Sequence, residues 1–135
     1  VPWLALGYVA SFSTKLSDTV ASEVGKAYGK RTFLITTLQP VPRGTEGAVS
    51  LEGTLAGFLA GFLLALLGWA VGMVSVWGII FCTIAAFVAT NLESLIGATL
   101  QTQWDWLSNE IVNGINTLLG AAIAVGLAWG LRGLI

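Results

Sequence analysis

The sequence predicts an all-α, polytopic transmembrane helix bundle, about four helices in this chain, with a cytoplasmic loop rich in glycine and proline. Three observations carry that prediction. Of 135 residues, 56% are hydrophobic and only 10% are charged, against about 25% charged in an ordinary soluble domain. The stretch 53–92 contains no Asp, Glu, Lys or Arg and is about twice the length that crosses a bilayer once, so it divides into two spans and a turn. Charge gathers instead near the start: five of the six basic residues, Lys15, Lys26, Lys30, Arg31 and Arg43, precede Glu52, which assigns that region to the cytoplasmic side. A soluble bundle can hide one uncharged helix but keeps a charged face on the others.

Residues 1–28 read as a membrane helix that continues into a polar helix. The apolar run from Trp3 to Phe12 is too short to span alone. At about 100° per residue, Ser11, Lys15, Asp18, Thr19, Ser22, Glu23 and Lys26 share one half of the helix and Leu16, Val20, Val24 and Ala27 the other, so the charged half looks into a cavity. Over 29–52 the periodicity vanishes: Pro40 and Pro42 stop a helix, and Gly44 and Gly47 tolerate positive φ. That is the loop.

A span over 53–72 follows, with Gly53, Gly57 and Gly61 on one face, the small-residue spacing that lets membrane helices approach closely. Trp69 and Trp77 bracket a turn near Met73 to Val76 at the depth of an aromatic belt. The next span, 77–96, returns Glu93 to the side of the loop. Trp104 and Trp106 anchor a polar stretch before the last span, 111–131, whose Asn113 and Asn116 continue a face begun by Asp105 and Asn109. Amides at that depth point into the bundle. Cys82 lies in an apolar run as a small core residue, and the absence of His excludes the usual zinc spacings. Opening on Val1 and Pro2 inside a hydrophobic helix, the chain reads as one membrane domain, 1–135, from the C-terminal portion of a longer protein.

Ionisable groups near hydrocarbon are functional candidates by default, and the predicted topology brings three sets to one side: Asp18 with Glu23, the segment from Lys26 to Gly47, and Glu93 with the Asn stripe. Asp18 and Glu23 suit Mg²⁺, which takes one or two carboxylates plus substrate phosphates; the same spacing equally allows pairing with Lys15 and Lys26 along the helix. Lys26, Lys30, Arg31 and Arg43 can neutralise phosphate while amides near Gly44, Thr45 and Gly47 cradle it, or the cations can be topology signals facing anionic lipid. Gly25 to Lys30 is not a P-loop, because the glycine spacing is one residue short and no Ser or Thr follows Lys30.

Several motifs in order resemble the transmembrane protein 19-like family, whose plant and cyanobacterial members are phytyl-phosphate kinases. The resemblance rests on Asp18, Thr19, Ala21, Ser22, Glu23 and Gly25; on Thr36, Thr37, Pro40, Pro42, Gly44, Thr45, Gly47, Ser50, Gly53, Thr54 and Gly57; and on Glu93, Ser94, Gly97, Ala98, Gln101, Asn109 and Asn113. More distantly the arrangement is similar to dolichol kinase, phytol kinase and the CTP-dependent lipid cytidylyltransferases. Two departures stand out: the N-terminal helices of such enzymes are absent from this chain, and Glu93 occupies a position where many relatives carry Asp.

The resemblance implies an integral membrane enzyme that moves a phosphoryl group from a nucleoside triphosphate, CTP favoured, to an isoprenyl monophosphate. It implies Asp18, Glu23 and Glu93 as Mg²⁺ ligands and Lys26, Lys30 and Arg43 on phosphate oxygens. Gly44, Thr45 and Gly47 would meet the triphosphate, and Asn109 and Asn113 the acceptor head group. The implied partners are membrane lipid, isoprenyl phosphate and nucleotide, with no nucleic acid polymer. The implied location is a bacterial cytoplasmic, thylakoid or plastid membrane with the loop on the cytoplasmic or stromal side. Nucleotidyl transfer to a lipid phosphate, and a non-enzymatic transporter or structural subunit, are the alternatives.

Overall fold

A computed structural model of the protein describes residues 2–29, 31–42, 48–100, 106 and 108–131. Four helices carry the fold: α1 (Pro2–Tyr28), α2 (Leu51–Ala70), α3 (Val76–Ala98) and α4 (Asn109–Gly130). Three of them, α2, α3 and the part of α4 from Glu110 to Gly130, are long and apolar enough to cross a membrane. The charges of its second half set α1 apart, yet α1 packs against all three others. At 1.5 Å per residue its 27 residues reach roughly 40 Å, long enough to cross the bundle and emerge from it.

The packing is inverted relative to a soluble bundle. Every fully buried residue of α2 is small, Gly53, Gly57, Gly61, Ala65 and Gly68, while Leu55, Phe58, Leu59, Leu63 and Leu67 are exposed. Lipid tails are as apolar as leucine, so bulky side chains gain little by turning inward, and close backbone approach decides the interface. A Cβ on Gly57 would lie 2.7 Å from the Ser17 carbonyl oxygen and 2.8 Å from the Ala21 Cβ, and one on Gly53 would collide with the Ala21 carbonyl. The α1 surface that receives these glycines is itself small and polar: Ser13, Thr14 and Ser17 are buried. On α4, Gly120 abuts the Thr14 hydroxyl, in a buried row with Val112, Asn116, Ala124 and Ala128.

These contacts fix the register. Gly68 meets Val9, Gly61 meets Ser13 and Ser17, and Gly53 meets Ala21 and Gly25, so α2 runs antiparallel to α1. Cys82 contacts the Leu6 carbonyl oxygen through its thiol at 3.9 Å, and Gly61 also faces Ala86, so α3 runs alongside α1 in the same direction. Cys82 is buried in the apolar cluster with Leu6, Val9, Ala85 and Ala124. It is therefore expected to resist a water-soluble maleimide in the folded protein and to react after denaturation, which mass spectrometry checks.

The turn between α2 and α3 is a Schellman motif: the Met73 amide donates to the Gly68 carbonyl at 2.9 Å and the Gly72 amide to Trp69 at 3.0 Å, with Gly72 at φ +84°. Gly72→Ala is expected to lower stability by about 1 kcal/mol, the cost of a Cβ in the left-handed region, as read by thermal unfolding in detergent. Helix α2 begins at Leu51, two residues earlier than the glycine face suggests, because Ser50 caps it, its hydroxyl accepting from the Gly53 amide at 3.1 Å. The loop contains a feature its sequence did not announce. Phe33–Leu34 (β1) pairs antiparallel with Ala48–Val49 (β2), and Phe33 also bridges to Pro40.

Candidate functional site

A cavity of about 350 Å³ opens where the second half of α1 leaves the bundle, and all four helices and the base of the loop contribute to its wall. From α1 come Lys15, Ser17, Asp18, Glu23 and Lys26; from α3, Thr90, Asn91, Glu93 and Ser94; from α4, Asn113. Thr32, Ala48 and Val49 bring the paired strands to the rim, and Ser50, Gly53 and Thr54 place the first turn of α2 there. The positive end of that helix's backbone dipole thus lies in the wall, which favours an anion.

Depth follows from register. Ser17 meets Gly57 and Gly61, six and ten residues beyond the start of α2, or roughly 9 to 15 Å along its axis. Asp18 is the next residue, and Glu93 reaches the same level from α3. Asp18 therefore lies inside the span of α2, while Glu23 and Lys26, beside the Ala21 and Gly25 contacts of Gly53, lie level with its first turn. Charges at such depth face water or a ligand, and the cavity supplies that exposure.

Among the described residues, Lys15, Asp18 and Glu23 take part in no ion pair. The pairing along α1 that their spacing allows, Asp18 with Lys15 and Glu23 with Lys26, does not form. Glu93 is held from below: the side-chain amide of Asn116 donates to its Oε2 at 3.3 Å. Asn116 is only 1% exposed, and its Oδ1 has no partner among the described residues, as is true of the Ser13, Thr14 and Thr90 hydroxyls. Buried polar atoms of this kind are ordinarily satisfied by water, which marks the floor beneath the cavity as polar.

Of the residues singled out from the sequence, Asp18, Glu23, Lys26, Glu93 and Asn113 meet at this cavity. Lys30, Arg43, Gly44, Thr45, Gly47 and Asp105, and the side chain of Asn109, lie outside the described residues. Although Asp18, Glu23 and Glu93 share the cavity, no three acidic or thiol groups among the described residues sit close enough to hold a metal ion by themselves. Ser17, Thr90 and Asn91 were not among the residues singled out from the sequence, and Lys15 and Ser94 were named there without a role at the site. Their signal was present: Thr90, Asn91 and Ser94 are the polar residues that flank Glu93 within an otherwise apolar span.

The chain belongs to the DUF92 family of integral membrane proteins, which matches residues 1–121. Among its relatives, the uncharacterized membrane protein sll0875 of Synechocystis sp. is 80% identical over 125 residues, covering 93% of this chain and 48% of that protein. Protein VTE6, chloroplastic, of Arabidopsis thaliana is 53% identical over 122 residues, covering 89% of this chain and 37% of that one. The membrane protein MJ0933 of Methanocaldococcus jannaschii is 40% identical over 125 residues, covering 91% and 51%. The chain thus spans about half the length, or less, of these relatives. No solved structure matches it.

Proposed function

We propose that the cavity is the phosphoryl-transfer site of an integral membrane isoprenyl-phosphate kinase, with phytyl phosphate as acceptor and a nucleoside triphosphate, CTP favoured, as donor. The observation that carries this reading is one polar cavity that joins Asp18 and Glu23, which take part in no ion pair among the described residues, with Glu93, Lys15, Lys26 and a helix N-terminus. It fits a substrate whose charged end must enter the bundle while its tail stays in lipid. The resemblance to phytyl-phosphate kinases and the similarity to protein VTE6, chloroplastic, support the substrate class.

Phosphoryl transfer demands positioning and charge neutralisation more than covalent chemistry from the protein. An oxygen of the lipid phosphate attacks the terminal phosphorus of the triphosphate, the bond to the bridging oxygen breaks, and the nucleoside diphosphate leaves with that electron pair. The attacking oxygen is already anionic, so no strong general base is needed. Lys26, with Lys30 and Arg43 of the loop, neutralises phosphate oxygens. The amides of Gly44, Thr45 and Gly47 cradle the triphosphate, and Asn109 and Asn113 orient the acceptor head group.

The donor set suits Mg²⁺: Asp18, Glu23 and Glu93 offer hard oxygens in one cavity, and without a complete protein cage the remaining ligands come from phosphate and water. When bound, the ion would neutralise charge on the triphosphate. The Asn116 amide, donating to the Glu93 carboxylate, would restrain that ligand's position. We place the mouth on the cytoplasmic or stromal side.

The test supplies the purified full-length protein with Mg²⁺, phytyl phosphate and CTP, ATP or GTP labelled in either the α or the γ phosphate. The kinase transfers only the γ label and releases nucleoside diphosphate. Transfer of the α label with release of pyrophosphate establishes nucleotidyl transfer instead, and the absence of any labelled lipid with all three nucleotides leaves a non-enzymatic role.

A further inference from the structure

A second concavity, of about 500 Å³, runs between the first half of α1 and the facing side of α4. Leu4, Tyr8 and Phe12, four residues apart, form its α1 edge; Leu118 forms the opposite edge, and Lys15 closes one end. Its floor is shallow because the residues there are small: a Cβ on Gly7 would stand 3.8 Å from that of Ala121. Two hydroxyls border it, and both are satisfied within their own helices, Ser11 donating to the Tyr8 carbonyl at 2.8 Å and Thr117 to that of Gly114 at 2.9 Å. Among the described residues, Lys15 and the phenolic hydroxyl of Tyr8 are therefore the polar groups of the groove left for a partner from outside the chain.

Lys15 belongs to both concavities, lining the groove and the polar cavity alike. It lies between Ser13 and Ser17, which meet Gly61, roughly 15 Å along α2 from its first residue, and it has no counter-ion among the described residues. A lysine at that depth faces water or an anion, and an anionic ligand in the cavity would supply its counter-charge. A neutral apolar segment would not supply one, and the head group of a lipid that merely surrounds the protein stays at the membrane surface. A lipid phosphate whose head enters the cavity from the side meets both requirements at once.

We propose that this groove binds the isoprenoid tail of the lipid phosphate, and that Lys15 binds its phosphate where groove and cavity join. The acceptor then enters sideways between α1 and α4 while the nucleotide enters through the polar mouth. The assignment rests on the kinase reading for the identity of the lipid, but its test does not depend on turnover.

A phytyl phosphate carrying a photoreactive diazirine midway along its tail is cross-linked to the full-length protein in lipid nanodiscs, and the labelled peptides are mapped by mass spectrometry. A diazirine phytol without phosphate serves as control. Labelling is expected within 4–12 and 117–121, competed by unlabelled phytyl phosphate. It should fall about tenfold or more in Lys15→Met for the phosphate probe, as expected for losing a charged partner, and remain unchanged for the phytol. Ala121→Phe should block the floor, and Leu118→Trp, at an exposed edge position, reports the same loss should the first variant fail to fold. Labelling elsewhere in a protein that still makes the diphosphate overturns the groove and spares the kinase. Competed labelling of the groove without any turnover retains the groove and removes the kinase. Equal labelling by both probes, or no labelling because another part of the protein covers the groove, overturns the proposal.

Discussion

Asp18→Asn in the full-length protein is expected to lower phosphoryl transfer about 10²–10³-fold, the scale on which removal of one group that stabilises transition-state charge is felt. Asp18 lines the cavity, makes no ion pair among the described residues and lies well inside the span of α2. No described residue pairs with its charge, so asparagine of nearly equal volume is expected to leave the fold intact. Expression and thermal midpoint should match those of the parent protein. Glu110, exposed in the first turn of α4 and outside the cavity, provides the contrast: Glu110→Gln should leave turnover within about twofold, the range of an ordinary surface change. Initial rates with γ-labelled nucleotide separate the two. Unchanged turnover in Asp18→Asn removes this residue from the site.

Gly57→Leu should fail differently, by loss of the folded bundle. The new Cβ would meet the Ser17 carbonyl oxygen at 2.7 Å and the Ala21 Cβ at 2.8 Å, and neither can yield without moving the α1 backbone. Overpacking of one or two methylenes costs about 1–3 kcal/mol, and a whole leucine side chain belongs at or beyond the upper end. A cost of about 3 kcal/mol corresponds to a fall of roughly 6–12 °C in thermal midpoint for a chain of a few hundred residues. Leu55→Phe, on the lipid-facing side of the same helix where Leu55 is 60% exposed, should leave the midpoint unchanged. Size-exclusion profiles and thermal unfolding in the same detergent decide the comparison.

The spans were legible because membrane crossing imposes a length and a composition that few other structures need. Leu51–Ala70 and Val76–Ala98 differ from the sequence expectation by two residues or fewer at each end, and the turn between them falls where Trp69 and Trp77 bracket it. The glycine face of α2 was legible for the same reason, since small residues at that spacing serve close approach and little else.

The partner surface on α1 was harder to read. Leu16, Val20 and Val24 form the obvious apolar face, whereas the tightest packing involves Ser13, Thr14 and Ser17. In lipid, size selects the buried face and hydrophobicity does not. The strand pair escaped notice because two residues per strand carry no measurable alternation, and the pairing of Phe33 with Val49 depends on contacts across the loop.

The convergence of Asp18, Glu23, Lys26, Glu93 and Asn113 on one cavity followed from topology, since two antiparallel spans between α1 and the end of α3 return the chain to the same side. The depth of Asp18 did not follow. It depends on how far α1 slides along α2, which only the glycine contacts fix. Lys15 was placed on the charged half of α1 but given no role for a related reason: its spacing from Asp18 matched an intrahelical pair, and nothing local in the sequence reveals that the two side chains remain apart. Asn116 was legible as a bundle-facing amide, but its bond to Glu93 joins residues 23 positions apart and had no local signature.

The most direct test of the central claim is a structure of the full-length protein with phytyl phosphate and a slowly hydrolysed nucleotide analogue. The facing phosphates should lie between α1 and α3, with Asp18 and Glu93 on either side of a shared Mg²⁺ and Lys26 against the triphosphate. Phosphates bound outside the four-helix cavity, with Asp18 and Glu93 contacting neither substrate, would contradict it.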